Sequence, residues 1–142
     1  MKNLLITLCL FIIINEAKAQ KSAIFAPGGK AIKGYDPVAF FTMSKPVVGA
    51  DSLVYLYKGA KWFFSSAENL NKFRTTPEKY EPQFGGYCAY GMADGHKAPT
   101  QTETWTIVDD KLYFNYNPKV KELWNKNQPS FIKKANELWP DL

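Results

Sequence analysis

The sequence predicts an α+β domain: a small antiparallel sheet built from two hairpins and covered by helices. Three observations carry this. Two pairs of β-rich runs are each joined by a short polar turn. Capping and breaker residues bound helical stretches after each pair. The order is strand pair, helix, a Gly-rich central stretch, strand pair, two helices, and helices gathered on a small antiparallel sheet are the natural way to bury both.

The chain opens on Lys2, the nearly unbroken apolar run Leu4 to Ile14, and Ala17-Lys18-Ala19. That is the pattern of a secretory signal peptide, residues 1–19, cleaved after Ala19. The apolar run is short of the roughly 20 residues that a spanning helix needs. Export to a periplasm or to the outside is the expectation, with no membrane span after cleavage. Residues 20–33 read as a Gly- and Lys-rich N-terminal arm, and residues 34–142 as one domain. Removing Lys2, Lys18 and Glu16 takes the formal charge from +5 to +4. Acids and lysines are interspersed and Arg74 is the only arginine, so nucleic acid is not an expected partner.

In order, Gly34-Tyr35-Asp36-Pro37 is a turn before the apolar run Val38 to Phe41. Leu53 to Tyr57 and Lys61 to Phe64 form the first hairpin across Lys58-Gly59-Ala60. Ser65 followed by Glu68 reads as a capping box. Leu70 and Phe73 share a face of the helix it starts, and Thr76-Pro77 ends that helix. Pro77 to Tyr80 is one further turn. Thr104 to Val108 and Leu112 to Tyr116 form the second hairpin, with Asp109-Asp110-Lys111 at its tip. Asn117-Pro118 opens a helix with Val120, Leu123 and Trp124 inward. Pro129 opens the last helix, striped by Phe131, Ala135, Leu138 and Trp139, and Pro140 ends it. The sequence shows no internal repeat to inspection.

The central stretch, Gln83 to His96, holds the only histidine, four of the nine glycines and Cys88. The other cysteine, Cys9, falls in the expected signal peptide, so Cys88 is left without an intrachain disulfide partner. Its readings are a buried apolar residue, a metal ligand or a reactive thiol. Cys88, Met92 and His96 are four residues apart. A helix over Tyr87–Gly95 would set all three along one face. Thiolate, thioether and imidazole together form a copper-like ligand set, and Met43 offers a second thioether. Against this, Gly91 and Gly95 disfavour a helix. Enzyme constellations are absent: no phosphate loop, no haem attachment, no nucleophile elbow. Trp62, Trp105, Tyr87, Tyr90, Tyr113 and Tyr116 read as core between sheet and helices rather than as a ligand pocket.

Several segments together resemble the YHS domain family, in an exported single-domain branch. They are Gly34-Tyr35-Asp36-Pro37-Val38-Ala39-Phe40-Phe41, Lys61 to Ser66, the helix to Phe73 with Pro77 and Tyr80, Gly85 to Gly91, and Trp105 through Asn115-Tyr116. The resemblance implies an association with transition metals. It also implies cysteines after Asp-Pro-Val and around the start of the helix following the first hairpin. This chain has Ala39, Ser65 and Asn69 there. Three functions stand open: a small binding protein tied to copper through Cys88, Met92 and His96; a metal-free protein-interaction module; and a thiol redox protein using Cys88. An enzyme is not expected.

Overall fold

The computed structural model describes residues 21–142, so the expected signal peptide and Cys9 lie outside the described residues. The chain enters through an irregular strap with 3-10 turns at Pro27–Gly29 and Ala31–Gly34. This stretch, expected as an arm, is fixed to the core. Ile24, Ala31 and Ile32 are buried, and the Phe25 N–H donates to Gly85 O at 2.9 Å. Each buried isoleucine contributes about 1.5–3 kcal/mol.

Helix α1 (Ala39–Thr42) leads to strands β1 (Ala50–Tyr57) and β2 (Ala60–Phe64). Lys58 and Gly59 at the tip both have positive φ, 48° and 75°. That is the mirror-image two-residue turn whose twist suits a hairpin. Helix α2 (Ala67–Thr75) follows, then α3 (Pro77–Tyr80). The N-cap of α2 is Ser66, whose Oγ accepts from Asn69 N at 3.1 Å, and not Ser65 as the capping box predicts. Ser65 is drawn away because its backbone and hydroxyl both donate to Asp36.

A 3-10 turn at Gln83–Gly86 precedes α4 (Ala89–Ala93). Strands β3 (Gln101–Val108) and β4 (Lys111–Asn115) follow, with Asp109 and Asp110 at positive φ in the tip. Asn117 caps α5 (Pro118–Asn125) by accepting from Val120 N at 2.8 Å, as the sequence predicts. Leu123, expected inside, is 37% exposed, whereas Trp124 is fully buried. Helix α6 (Gln128–Leu138) and a last turn at Trp139–Asp141 complete the chain.

The fold is α+β, but the hairpins do not merge into one sheet. They are separate two-stranded antiparallel ribbons, β1–β2 and β3–β4. The core is correspondingly double. Phe40, Trp62, Phe64, Phe73 and Phe114 fill one cluster, and Phe84, Tyr87, Met92, Tyr113 and Trp124 fill the other. Phe73 sits among the rings of Tyr55, Tyr57, Trp62 and Phe64, at centroid distances of 6.3, 5.5, 4.9 and 5.3 Å.

The backbone also contains the repeat that inspection of the sequence misses. Ile32, Lys33 and Gly34 have φ of 49°, 52° and 88°; Phe84, Gly85 and Gly86 have 55°, 61° and 86°. Tyr35 N donates to Ile32 O, and Tyr87 N to Phe84 O, each at 3.0 Å. Asp36 N then donates to Val47 O, and Cys88 N to Ala98 O. A short helix follows in each half, then a ribbon with a two-residue left-handed tip. The first ribbon pairs Tyr57 with Ala60 at its tip and Ala50 with Phe64 at its base; the second pairs Val108 with Lys111 and Gln101 with Asn115. A register shift lies at the same place in both, and a capped helix follows each, at Ser66 and at Asn117. The domain is two copies of one supersecondary plan.

Candidate functional site

Asp36 and Cys88 occupy equivalent positions in the two halves and organise them the same way. Asp36 is fully buried. Its Oδ1 accepts from Val38 N at 2.9 Å and Ala39 N at 3.3 Å, at the entry to α1. Its Oδ2 accepts from Ser65 N at 2.8 Å, Ser65 Oγ at 2.7 Å and Asn69 Nδ2 at 2.8 Å. A buried carboxylate is tolerable when hydrogen bonds replace its hydration, and five donors do so here.

Ala39, Ser65 and Asn69, which stand where the resemblance places cysteines, all meet at this carboxylate. The set offers one hard oxygen pair already saturated by N–H and O–H donors, with no thiolate and no imidazole. A thiolate-type metal centre does not fit these residues.

In the second half the Cys88 sulfur takes the place of the carboxylate. It accepts from Gly91 N at 3.4 Å, as Asp36 does from Ala39, and from Tyr116 N at 3.2 Å, as Asp36 does from Ser65 N. Cys88 is therefore the N-cap of α4. Its thiol faces Asn115 Oδ1 at 3.6 Å, and that oxygen also accepts from Tyr90 N. Burial pushes the Cys88 pKa up, while the N–H groups of Gly91, Tyr116 and Tyr90 pull against it.

The other two expected ligands go elsewhere. Helix α4 stops at Ala93, so the face drawn over Tyr87–Gly95 does not extend to His96. Met92 lies one turn from Cys88 but is fully buried in the second apolar cluster. The His96 side chain is 59% exposed, with Nδ1 3.7 Å from Asp94 Oδ2. Met43 is 49% exposed. Among the described residues no group of three or more His, Cys, Asp or Glu is arranged to hold a metal ion.

Sequence reasoning passed over Asp36 as a turn residue, although an Asp three positions before Ala39 is also a helix-cap signal. It passed over Asn115, which is wholly buried and whose Nδ2 has no hydrogen-bond partner among the described residues, and Lys97, 8% exposed. No local pattern marks either, because both depend on distant segments.

A buried thiol of raised pKa reacts slowly, since the thiolate is the nucleophile. Native Cys88 is expected to label with a maleimide about a thousandfold more slowly than in urea. The unfolded thiol loses its proton first as pH rises past its ordinary value of 9.0. The stability this group supplies is thus intact below that pH and lost above it. The wild-type urea midpoint should fall above pH 9 more than that of Cys88→Ser, measured by fluorescence.

The fold and its two buried polar nodes define a small α+β domain of duplicated plan. The model of the YHS domain family matches residues 44–84, which span the first ribbon with α2 and α3. The family is associated with metal binding, and the match is consistent with metal handling. It ends at Phe84, so the Cys88 node and the second ribbon lie outside it. No curated protein and no solved structure matches the chain. No helix among the described residues is long and apolar enough to cross a membrane.

Proposed function

We propose that this chain is an exported, periplasmic or secreted, YHS-type binding protein that acts by contact, without a metal at the family's cysteine positions. The observation that supports this reading is the Asp36 node. Ser65 and Asn69 donate to one buried carboxylate, and that saturated network takes the place of the thiol set. Replacing a metal by a closed hydrogen-bond network keeps the junction of α1, β2 and α2 while removing the ligand chemistry.

The rival is a copper protein with Cys88, Met92 and His96 as ligands. One observation favours it: Met92 N donates to Cys88 O at 2.8 Å, so thiol and thioether belong to one helical turn. Cu(I) there would require the sulfur to exchange its N–H partners for metal and His96 to swing inward. The redox reading requires a lowered thiol pKa, and burial moves Cys88 the other way.

Metal analysis separates the first two. Residues 20–142, loaded with Cu(I) or Zn(II) and then dialysed, are expected to retain less than one equivalent. Stoichiometric Cu(I) lost in both Cys88→Ala and the exposed-site variant His96→Ala would establish the copper reading instead.

A further inference from the structure

The second node carries more donors than its sulfur uses. In the first half three backbone N–H groups stand at the Asp36 carboxylate, those of Val38, Ala39 and Ser65. Their counterparts around Cys88 are Tyr90, Gly91 and Tyr116. Gly91 N and Tyr116 N reach the sulfur at 3.4 and 3.2 Å, whereas Tyr90 N is taken up by Asn115 Oδ1 at 3.1 Å. The same amide oxygen faces the thiol at 3.6 Å, so the Asn115 side chain lies against the sulfur. Asn115 is wholly buried, and its Nδ2 has no hydrogen-bond partner among the described residues. In the first half an amide in the node, Asn69 Nδ2, donates to Asp36 Oδ2 at 2.8 Å.

A buried donor without a partner is costly, and sulfur is a weak acceptor. Four donors therefore stand around an atom that takes up two of them. A pair of oxygens on the atom bonded to Cβ would serve all four. Asp36 has that pair on Cγ. A cysteine sulfinate has it on Sγ, equally far along the side chain and likewise anionic.

We propose that Cys88 is a site of oxidation by hydrogen peroxide, and that its sulfinate is the second-half counterpart of the Asp36 carboxylate. Two peroxide molecules are consumed. Sulfur attacks an oxygen of the first, the O–O bond breaks, and water leaves as the thiol becomes a sulfenic acid. The second repeats this and yields the sulfinic acid, which releases one proton to solvent. Sulfur gives up two electrons at each step, and the peroxide accepts them. One sulfinate oxygen then faces Tyr90 N and Gly91 N, the other faces Tyr116 N, and the Asn115 amide turns its Nδ2 toward them. Charge-assisted bonds of this kind are the strong ones. The modification is slow and one-way, because burial disfavours the reacting thiolate and a sulfinate is not reduced by thiols. It is not a catalytic thiol cycle. Hydrogen peroxide is small and uncharged, which suits it to a site closed to a maleimide.

Residues 20–142, kept folded, are treated with hydrogen peroxide, and the peptide containing Cys88 is followed by mass spectrometry. A gain of two oxygens on Cys88, with no third, is expected. The urea midpoint of the oxidised protein is expected to rise by about 0.5 M. Cys88→Ser, treated identically, subtracts the effect of oxidation at the exposed Met43. Cys88→Asp tests the node without an oxidant. It is expected to hold a higher urea midpoint at neutral pH than Cys88→Asn, which has the same shape and no charge. An unmodified Cys88 in the folded protein, a sulfonate, a lowered midpoint on oxidation, or Cys88→Asp below Cys88→Asn would each overturn the proposal.

Discussion

Asp36→Ala is expected to lower the unfolding free energy by about 4 kcal/mol, near the upper end for a single substitution. The change removes one acceptor group and strands five donors: the N–H groups of Val38, Ala39 and Ser65, the Ser65 hydroxyl and the Asn69 amide. Val38, Ala39 and Asn69 are buried, so water does not reach their donors without opening the junction of α1, β2 and α2, whereas the two Ser65 donors belong to an exposed residue. Asp36→Asn keeps one oxygen and should cost about half as much, roughly 2 kcal/mol. Urea unfolding of the two variants beside wild type measures the difference. Equal midpoints for wild type and Asp36→Ala would show that the node does not hold the first half together.

Gly85→Ala should rank next, at about 3 kcal/mol. A Cβ at Gly85 would stand 1.8 Å from Ala23 O, and that neighbour is backbone, which has no rotamer to turn away. Its φ of +61° adds strain of its own. The strap over residues 21–26 would have to leave the Gln83–Gly86 turn and break the bond from Phe25 N to Gly85 O. Gly28→Ala is the matched control. Its φ is +65°, but nothing lies within 4 Å of the added carbon, so about 1 kcal/mol is expected. Limited proteolysis should then cut Gly85→Ala in the strap and leave Gly28→Ala intact. Strap cleavage at equal rates in both would refute the close-approach account.

The elements legible in the sequence were those with local signals. Turn residues placed both hairpins, Asn117-Pro118 placed the start of α5, and Pro77 placed the break between α2 and α3. The single-residue slip at Ser65 arose because two adjacent serines carry the same capping chemistry. Only the distant Asp36 decides which one caps. The repeat stayed hidden because equivalent positions share backbone geometry rather than residue type. Gly34-Tyr35 and Gly86-Tyr87 match, but Asp36 answers to Cys88, and Lys58-Gly59 to Asp109-Asp110. The spacing of Cys88, Met92 and His96 was read on a helix over Tyr87–Gly95, but α4 ends at Ala93 and Gly95 has a φ of +86°.

The division of the strands into two ribbons bears on which strand borders are left open. A two-stranded ribbon has two free borders, each a row of backbone groups on which a foreign strand can dock. Isolated bridges occupy part of the outer borders of β2 and β4, at Lys61 and Phe114. The outer borders of β1 and β3 have no such bridge among the described residues, and β1 presents Leu56, 68% exposed. Both strands carry an irregularity of register near their start, which bends the border and denies an incoming strand a straight template. The kink recurs in both halves, once on each border that has no bridge among the described residues.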